Sequence, residues 1–338
     1  MRFNRHLIEM GLFYYWIFLI ASSFADKVGY PPQAISAEGI QRIQISGVKG
    51  MVRFRGRSSR AYHLKVRHSR ARTSEDWHLS VQRRDSVLIV EVFNVAYGSQ
   101  WKRYVREELW PDFDVELEGP AVPVTLSWRE GTVSVRDWKG NVELSLLKGL
   151  IEFHSVKGRY RVQGVSTDVH VRGLNGELAL KGGRGNVRLA RVSGVVKLNL
   201  LGGEIRAEGV RGQVRVESLQ GRIHVRRGSG EWAIKTPRGR VQIEEMTGRL
   251  EGKGNSAQWD VQAGRKLDVH LTSGSGPVRV RITPQTARIF LSSRSGSIDV
   301  PKGFRSEDRD GVRVVEMAPG LSRRIFVQTE SGAIRLRQ

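Results

Sequence analysis

Cysteine is absent from the 338 residues. That removes disulfide staples, thiolate metal centres and a lipid-bearing cysteine, so the fold has to be held by packing and hydrogen bonds. Acidic residues are scarce beside basic ones: 34 Asp and Glu face 56 Lys and Arg, giving a formal charge of +22 and a pI of about 10.9. A charge of that size favours polyanionic neighbours such as lipopolysaccharide phosphates, anionic lipid headgroups, acidic glycans or DNA. Equally, basic side chains are what a solvated strand face carries. Long apolar runs are missing too, except for Met10 to Ile20. This run follows Arg2, Arg5 and His6 and leads into Ser23-Phe24-Ala25. It falls short of the roughly 20 residues needed to span a bilayer. Residues 1–25 therefore read as a signal peptide cut before Asp26 rather than an anchor helix, leaving no transmembrane span in the mature chain. Export together with absent cysteine suits the bacterial periplasm, the outer membrane or the cell surface.

What the chain has in abundance is glycine at a fixed pitch. From Gly131, every ninth residue gives Gly140, Gly149, Gly158, Thr167, Gly176, Gly185, Gly194, Gly203, Gly212, Gly221, Gly230, Gly239 and Gly248. Two and four residues after each turn glycine the side chain is usually apolar, as in Val142/Leu144, Ile151/Phe153, Val187/Leu189 and Val241/Ile243. A third apolar residue often follows at the seventh place: Trp138, Leu147, Val156, Val192, Val210 and Leu219. Alternation of this kind is strand spacing, and a constant short period marks a repeat architecture. One unit cannot fold alone. It buries two or three side chains at roughly 1.5 to 3 kcal/mol each, against roughly 1 to 2 kcal/mol for ordering each of its backbones. Stacking tips the balance, because parallel pairing with the next coil satisfies the backbone and joins the apolar rows into one core.

The fold class expected is therefore all-β, a single-chain parallel β-solenoid of nine-residue repeats. Hairpin sandwiches have no reason to keep such a pitch. A calcium-binding nonapeptide roll needs Asp where Gly182 to Gly185 leads instead to Val187. Coil length stays open between 18 and 27 residues. Residues 26–130 read as an N-terminal cap and irregular first coils, with strands at Met51–Phe54, Tyr62–Val66, Trp77–Val81, Val87–Phe93, Phe113–Leu117 and Val122–Leu126. Residues 131–256 form the regular solenoid. Residues 257–338 carry further coils, with Arg305 to Gly311 as a projecting loop and a charged C-terminal edge at Arg335 and Arg337.

One stretch breaks the strand pattern. Tyr97 to Trp110 sets Trp101, Tyr104, Val105 and Leu109 at helical spacing. This stretch is either a short capping helix docked over apolar surface or a contact site. In the second case Trp101, Tyr104 and Trp110 stack on sugar or base rings while Lys102, Arg103 and Arg106 meet anionic groups.

The Gly-x-Val-x-Val/Leu blocks, the Ser-Gly copies at Ser275, Ser295 and Ser331, the strand Phe113 to Leu117 leading through Pro123, and the closing Thr329 to Ile334 resemble the bacterial putative-adhesin family of unknown function, head-GIN-like. The resemblance covers most of the mature chain. It implies an exported or envelope-associated β-solenoid with no established enzymatic activity and no catalytic residues to carry over. The chain departs from the family's usual Asp after the turn glycine, placing Asn141, Glu177, Asn186, Glu204, Gln213 and Arg222 there.

No catalytic, cofactor or metal constellation emerges from the residues themselves. His170 and His224 share a frame position but lie two or three coils apart, too far for one metal ion. Glu152, Asp168, Glu244 and Glu245 are scattered carboxylates on strand faces. A polysaccharide-active β-helix enzyme therefore ranks behind two binding functions. The leading one is an adhesin-like or scaffold role towards a cell-envelope or surface component, a protein partner included. The other is a polyanion-binding module for lipopolysaccharide, acidic glycan or nucleic acid.

Overall fold

A computed structural model of the chain describes residues 27–69, 77–94, 112–282, 288–301, 306–309, 312–317 and 324–337. Its described residues are all-β, with no helix among them. In the middle of the chain every strand pairs in parallel with the segment two glycine periods away. Val187 stands opposite Val169 on one side and Ile205 on the other, and Val196 opposite Leu178 and Val214. One coil thus spans two glycine periods, the shorter of the two lengths expected, and a coil of three periods is excluded. Each coil contributes one short strand to each of two opposed faces, a solenoid-like stack. We call face A the column running through 142–146, 160–164 and 178–182, and face B the column through 149–154, 167–172 and 185–190.

Period-two alternation explains why these segments stack. Val142, Leu144, Ile151, Phe153, Val187 and Leu189 are buried between the faces, while Glu143, Ser145, His154 and Arg188 point to water. Two buried polar groups, on Trp138 and Tyr160, find partners inside this interior. Trp138 Nε1 donates to the Val122 carbonyl at 3.1 Å, and the Tyr160 hydroxyl donates to the Trp138 carbonyl at 2.9 Å. Burial pushes the Tyr160 hydroxyl above its usual pKa, and pushes that of Tyr62 up to about 12.

The two corners of a coil differ. Where face B turns to face A, one residue per coil adopts the left-handed conformation: Asp137, Ser155, Gly173, Arg191, Gly209, Arg227 and Glu245, with φ between 52° and 76°. The next residue, as in Trp138, Val156, Val192 and Val210, is buried. Where face A turns back to face B, the buried place falls one residue earlier, at Leu146 and Leu200. The seventh place is pushed outward there. Leu147 and Leu219, expected inside with the others, stand exposed because this corner lacks the left-handed residue that turns the chain inward.

Both corners use the turn glycines in the same way. Gly131, Gly149, Thr167, Gly185, Gly203, Gly221 and Gly239 stack in one ladder, and Gly140, Gly158, Gly176, Gly194, Gly212, Gly230 and Gly248 in the other. Most have positive φ, and a Cβ at any of them except Gly140 would press on the carbonyl of the corner residue one coil away. Thr167 survives in its ladder with its hydroxyl turned inward, donating to the Leu146 carbonyl at 2.9 Å.

The ends are wound differently from the body. Arg42–Gly56 is the first strand to form a coil, yet it lies inside the stack. It pairs in parallel with Val124–Arg136 on one side and with Val87–Asn94 and Phe113–Gly119 on the other. Antiparallel strands cover that outer coil: Trp77–Arg84 on face A, and Ala61–Ser69 followed by Lys27–Gly29 and Gln33–Ser36 on face B.

The C-terminal end repeats the arrangement. Arg324–Thr329 and Ile334–Arg337 slot between the coil of 267–282 and the coil of Arg288–Ser293 and Ile298–Asp299. Arg335 and Arg337 therefore do not guard an edge, because their strand has neighbours on both sides. Residues 306–309, expected in a projecting loop, form a strand against Val312–Met317, which in turn pairs antiparallel with Arg288–Ser293. Among the described residues the caps are thus strands rather than a helix, and the residues expected to form a helical cap lie outside them.

Candidate functional site

Trp101, Lys102, Arg103, Tyr104, Arg106 and Trp110, the candidate contact residues, lie outside the described residues. Of the carboxylates singled out from the sequence, Glu152 lines a cleft on face B, and the other three are occupied with their strand neighbours. Asp168 Oδ1 accepts from the Asn186 backbone N–H at 2.7 Å. Glu244 accepts from the Gln242 amide at 2.6 Å and lies 3.8 Å from His224. Glu245 lies 3.7 Å from Arg226. Among the described residues no three His, Asp or Glu side chains cluster to hold a metal ion.

What the winding does bring together is cations. On the outward side of face B, register places His170, Arg188, Arg206 and His224 in one row, one residue per coil. At about 4.8 Å per coil the row advances steadily along the axis. A second row, Arg136, His154 and Arg172, runs beside it. The two border a cleft of about 520 Å³ whose lining includes Arg136, His154, His170, Arg172, Arg188 and Arg206, with Glu152 and Glu208 as its acids. Pitch, not local sequence, creates this site: side chains well separated along the chain become neighbours. No motif scan finds it, but once coil length is known the rows can be read off by counting.

Several acids elsewhere are matched coil to coil. Arg159 meets Glu177 and Arg161 meets Glu143, both at 2.9 Å and each one coil apart. Lys148 meets Glu130 at 3.3 Å, and Arg335 meets Asp299 at 3.2 Å. Within the cleft, Arg206 is held by Glu204 at 3.0 Å. Arg136, Arg172 and Arg188 have no ion-pair partner among the described residues and are exposed. Stacked like charges repel, so an anion laid across them is stabilised by several cations at once.

The coils from Val124 onward, which carry both rows, coincide with a known family pattern: the Toastrack DUF4097 family matches residues 124–337. The chain belongs to the Toastrack DUF4097 family. In this Toastrack protein the match begins at the coil next to the intercalated Arg42–Gly56, so it leaves out the N-terminal cap. No curated protein matches the chain. Solved structures similar to it include a putative cell adhesion protein from Clostridium sporogenes, at 10% identity and TM-score 0.22, covering 93% of this chain and 100% of that one. A putative lipid binding protein from Parabacteroides distasonis is 12% identical with TM-score 0.33, covering 91% and 96%. A putative adhesin from the same organism is 9% identical with TM-score 0.31, covering 92% and 98%. Scores this low carry no inference to the Toastrack protein's ligand.

Proposed function

We propose that this chain is an exported, non-enzymatic binding protein of the bacterial cell envelope, adhesin-like or scaffold-like, that grips an acidic glycan or lipopolysaccharide along face B. The observation that supports this reading is the run of cations at coil pitch, with Arg136, Arg172 and Arg188 left without acidic partners among the described residues. An extended polyanion crossing several coils meets a new cation at each step, whereas a small ligand meets only one or two. Residues 1–25 act in this reading as the export signal. Residues 26–130 serve as cap and first coils, 131–256 as the regular stack, and 257–338 as the closing coils. Periplasmic, outer-membrane-associated and surface locations all suit such a protein.

The test is binding of lipopolysaccharide and an acidic polysaccharide to wild type and to Arg172→Gln/Arg188→Gln, across a salt series. Binding should weaken steeply with salt, and the double variant should bind less tightly with a shallower slope, because fewer counterions are released. Binding that ignores both salt and the two arginines would overturn the proposal.

A further inference from the structure

The corner where face A turns to face B presents a different chemistry. Leu147, Val165, Leu201 and Leu219 are 47%, 59%, 55% and 56% exposed. They occupy one frame position in successive coils, with Gly183 taking the place between Val165 and Leu201. They therefore make a single file of carbon along one edge of the stack. Just inside it, successive coils supply Trp128, Leu146, Gly164, Gly182 and Leu200. Trp128, Leu146 and Leu200 fill their place. At Gly164 the Thr167 side chain takes the place and at Gly182 Leu200 leans into it, since a Cβ there would lie 2.6 Å from Thr167 Oγ1 or 3.0 Å from Leu200 Cδ2, while Gly183 removes the outer side chain.

The result is a groove of about 950 Å³ running from Val48 past Trp128, Leu147 and Val165 to Leu201. Polar side chains sit mainly at its sides and ends. Ser145, Gln163 and Asn199 flank it, Glu91 and Arg129 line it towards Val48, and Lys181 lines it at the glycine pair. Lys181 and Arg184 bracket Gly182-Gly183 in the chain. Both are exposed, and neither has an ion pair among the described residues.

We propose that this groove holds one long-chain anionic amphiphile of the fatty-acid type, its carboxylate at Lys181 and Arg184 and its acyl chain along Val165, Leu147 and Trp128 towards Val48. Length agrees. Four coil steps of about 4.8 Å separate Lys181 from Val48, and an acyl chain, which spans about 15 Å of a bilayer leaflet, covers about three of them, as far as Trp128. Charge agrees as well, since Lys181 lines the groove beside Gly183, where the file lacks its outer side chain, and Arg184 follows in the chain. A second copy of the protein is a poorer occupant. A stable dimer hides about 800 Å² on each partner, and this file is one side chain wide and bordered by Lys148, Arg184 and Arg238. The groove lies on a different part of the surface from the face B cations and takes a different ligand class, so it goes beyond the polyanion reading.

Titration of the mature chain with a fluorescent polyene fatty acid, displaced by palmitate, tests the assignment. Wild type should show saturable one-to-one binding, and palmitate should compete while octanoate does not. Val165→Asp/Leu201→Asp changes only exposed positions and should weaken binding at least tenfold with circular dichroism unchanged. Lys181→Gln/Arg184→Gln should weaken the fatty acid but not hexadecanol. Arg172→Gln/Arg188→Gln should leave it untouched, which separates failure here from failure of the face B reading. Absent saturable binding, equal binding by the Val165/Leu201 variant, capture of anionic vesicles without monomeric fatty acid, or a dimer dissolved by Leu201→Asp would each overturn the proposal.

Discussion

A β-carbon placed on Gly149 would overlap the carbonyl oxygen of Gly131, its neighbour one coil away. Gly149 also has φ +139°, a conformation that side-chain-bearing residues rarely adopt. Two independent costs therefore meet at one residue, and the overlap is with backbone that cannot swing aside. Gly149→Ala should lower stability by about 3 kcal/mol or more. Gly173 separates the two costs: it is left-handed at φ +76°, yet a Cβ there would find its nearest neighbour, Ser155 Cα, at 3.7 Å. Gly173→Ala should cost only about 1 kcal/mol. Urea unfolding of the two variants side by side checks the ranking, and equal losses would refute the overlap argument.

The left-handed row at the other corner makes the opposite prediction. Arg191 holds φ +53° without a glycine or asparagine to ease it, at a cost of about 1 to 2 kcal/mol for an ordinary side chain. Arg191→Asn should raise stability by about 0.5 to 1 kcal/mol, because asparagine tolerates this conformation. A melting temperature that stays put or falls would count against it.

Two buried tyrosines should respond oppositely to loss of their hydroxyls. The Tyr160 oxygen donates to Trp138, so Tyr160→Phe should cost about 1 kcal/mol. The Tyr62 hydroxyl is buried without a hydrogen-bond partner among the described residues, so Tyr62→Phe should be neutral or stabilising. Alkali gives a second readout. Tyr62 ionises at about 12 in the folded chain against 10.0 when unfolded. Its contribution is therefore complete below pH 10 and falls away as pH rises towards 12, where the unfolded chain ionises first. Melting temperatures from pH 8 to 11 should drop, and Tyr62→Phe should flatten part of that drop.

The repulsion along face B should be visible without any biological ligand. Sulfate at fixed ionic strength should raise the melting temperature more than chloride, because an anion that binds only the folded rows adds RT ln(1 + [L]/Kd) to stability. Arg172→Gln/Arg188→Gln should be more stable than wild type in low salt and should lose the preference for sulfate. Identical sulfate and chloride responses in wild type would remove the physical basis of the cation rows.

Strand pattern and inward rows were legible because alternation is a local property: Val142, Leu144, Ile151 and Phe153 announce their faces whatever lies beside them. The difference between corners was not. A nine-residue frame places Leu147 and Val156 in the same position, but the coil spans two such frames, and only Val156 follows a left-handed residue, Ser155. Nor could sequence order reveal the intercalated ends. Ile325 pairs with Val269, far earlier in the chain, through a match of apolar rows that any neighbouring coil could offer. The face B cations were visible only as a net charge until the pitch stacked Arg188 on His170 and Arg206. Trp101 and its neighbours, conspicuous in composition, fall outside the described residues.

The insertion of Ile334–Arg337 between two other coils has a mechanical side. A solenoid whose final winding sits on the outside can be peeled like tape, one row of hydrogen bonds at a time. Here a force on the C-terminus must shear a strand gripped on both flanks, and Arg42–Gly56 is gripped likewise near the other end. The C-terminal strand therefore cannot be unspooled one row at a time, whereas the short N-terminal strands Lys27–Gly29 and Gln33–Ser36, paired with Ala61–Ser69 alone, are the ones that a pull can peel away first.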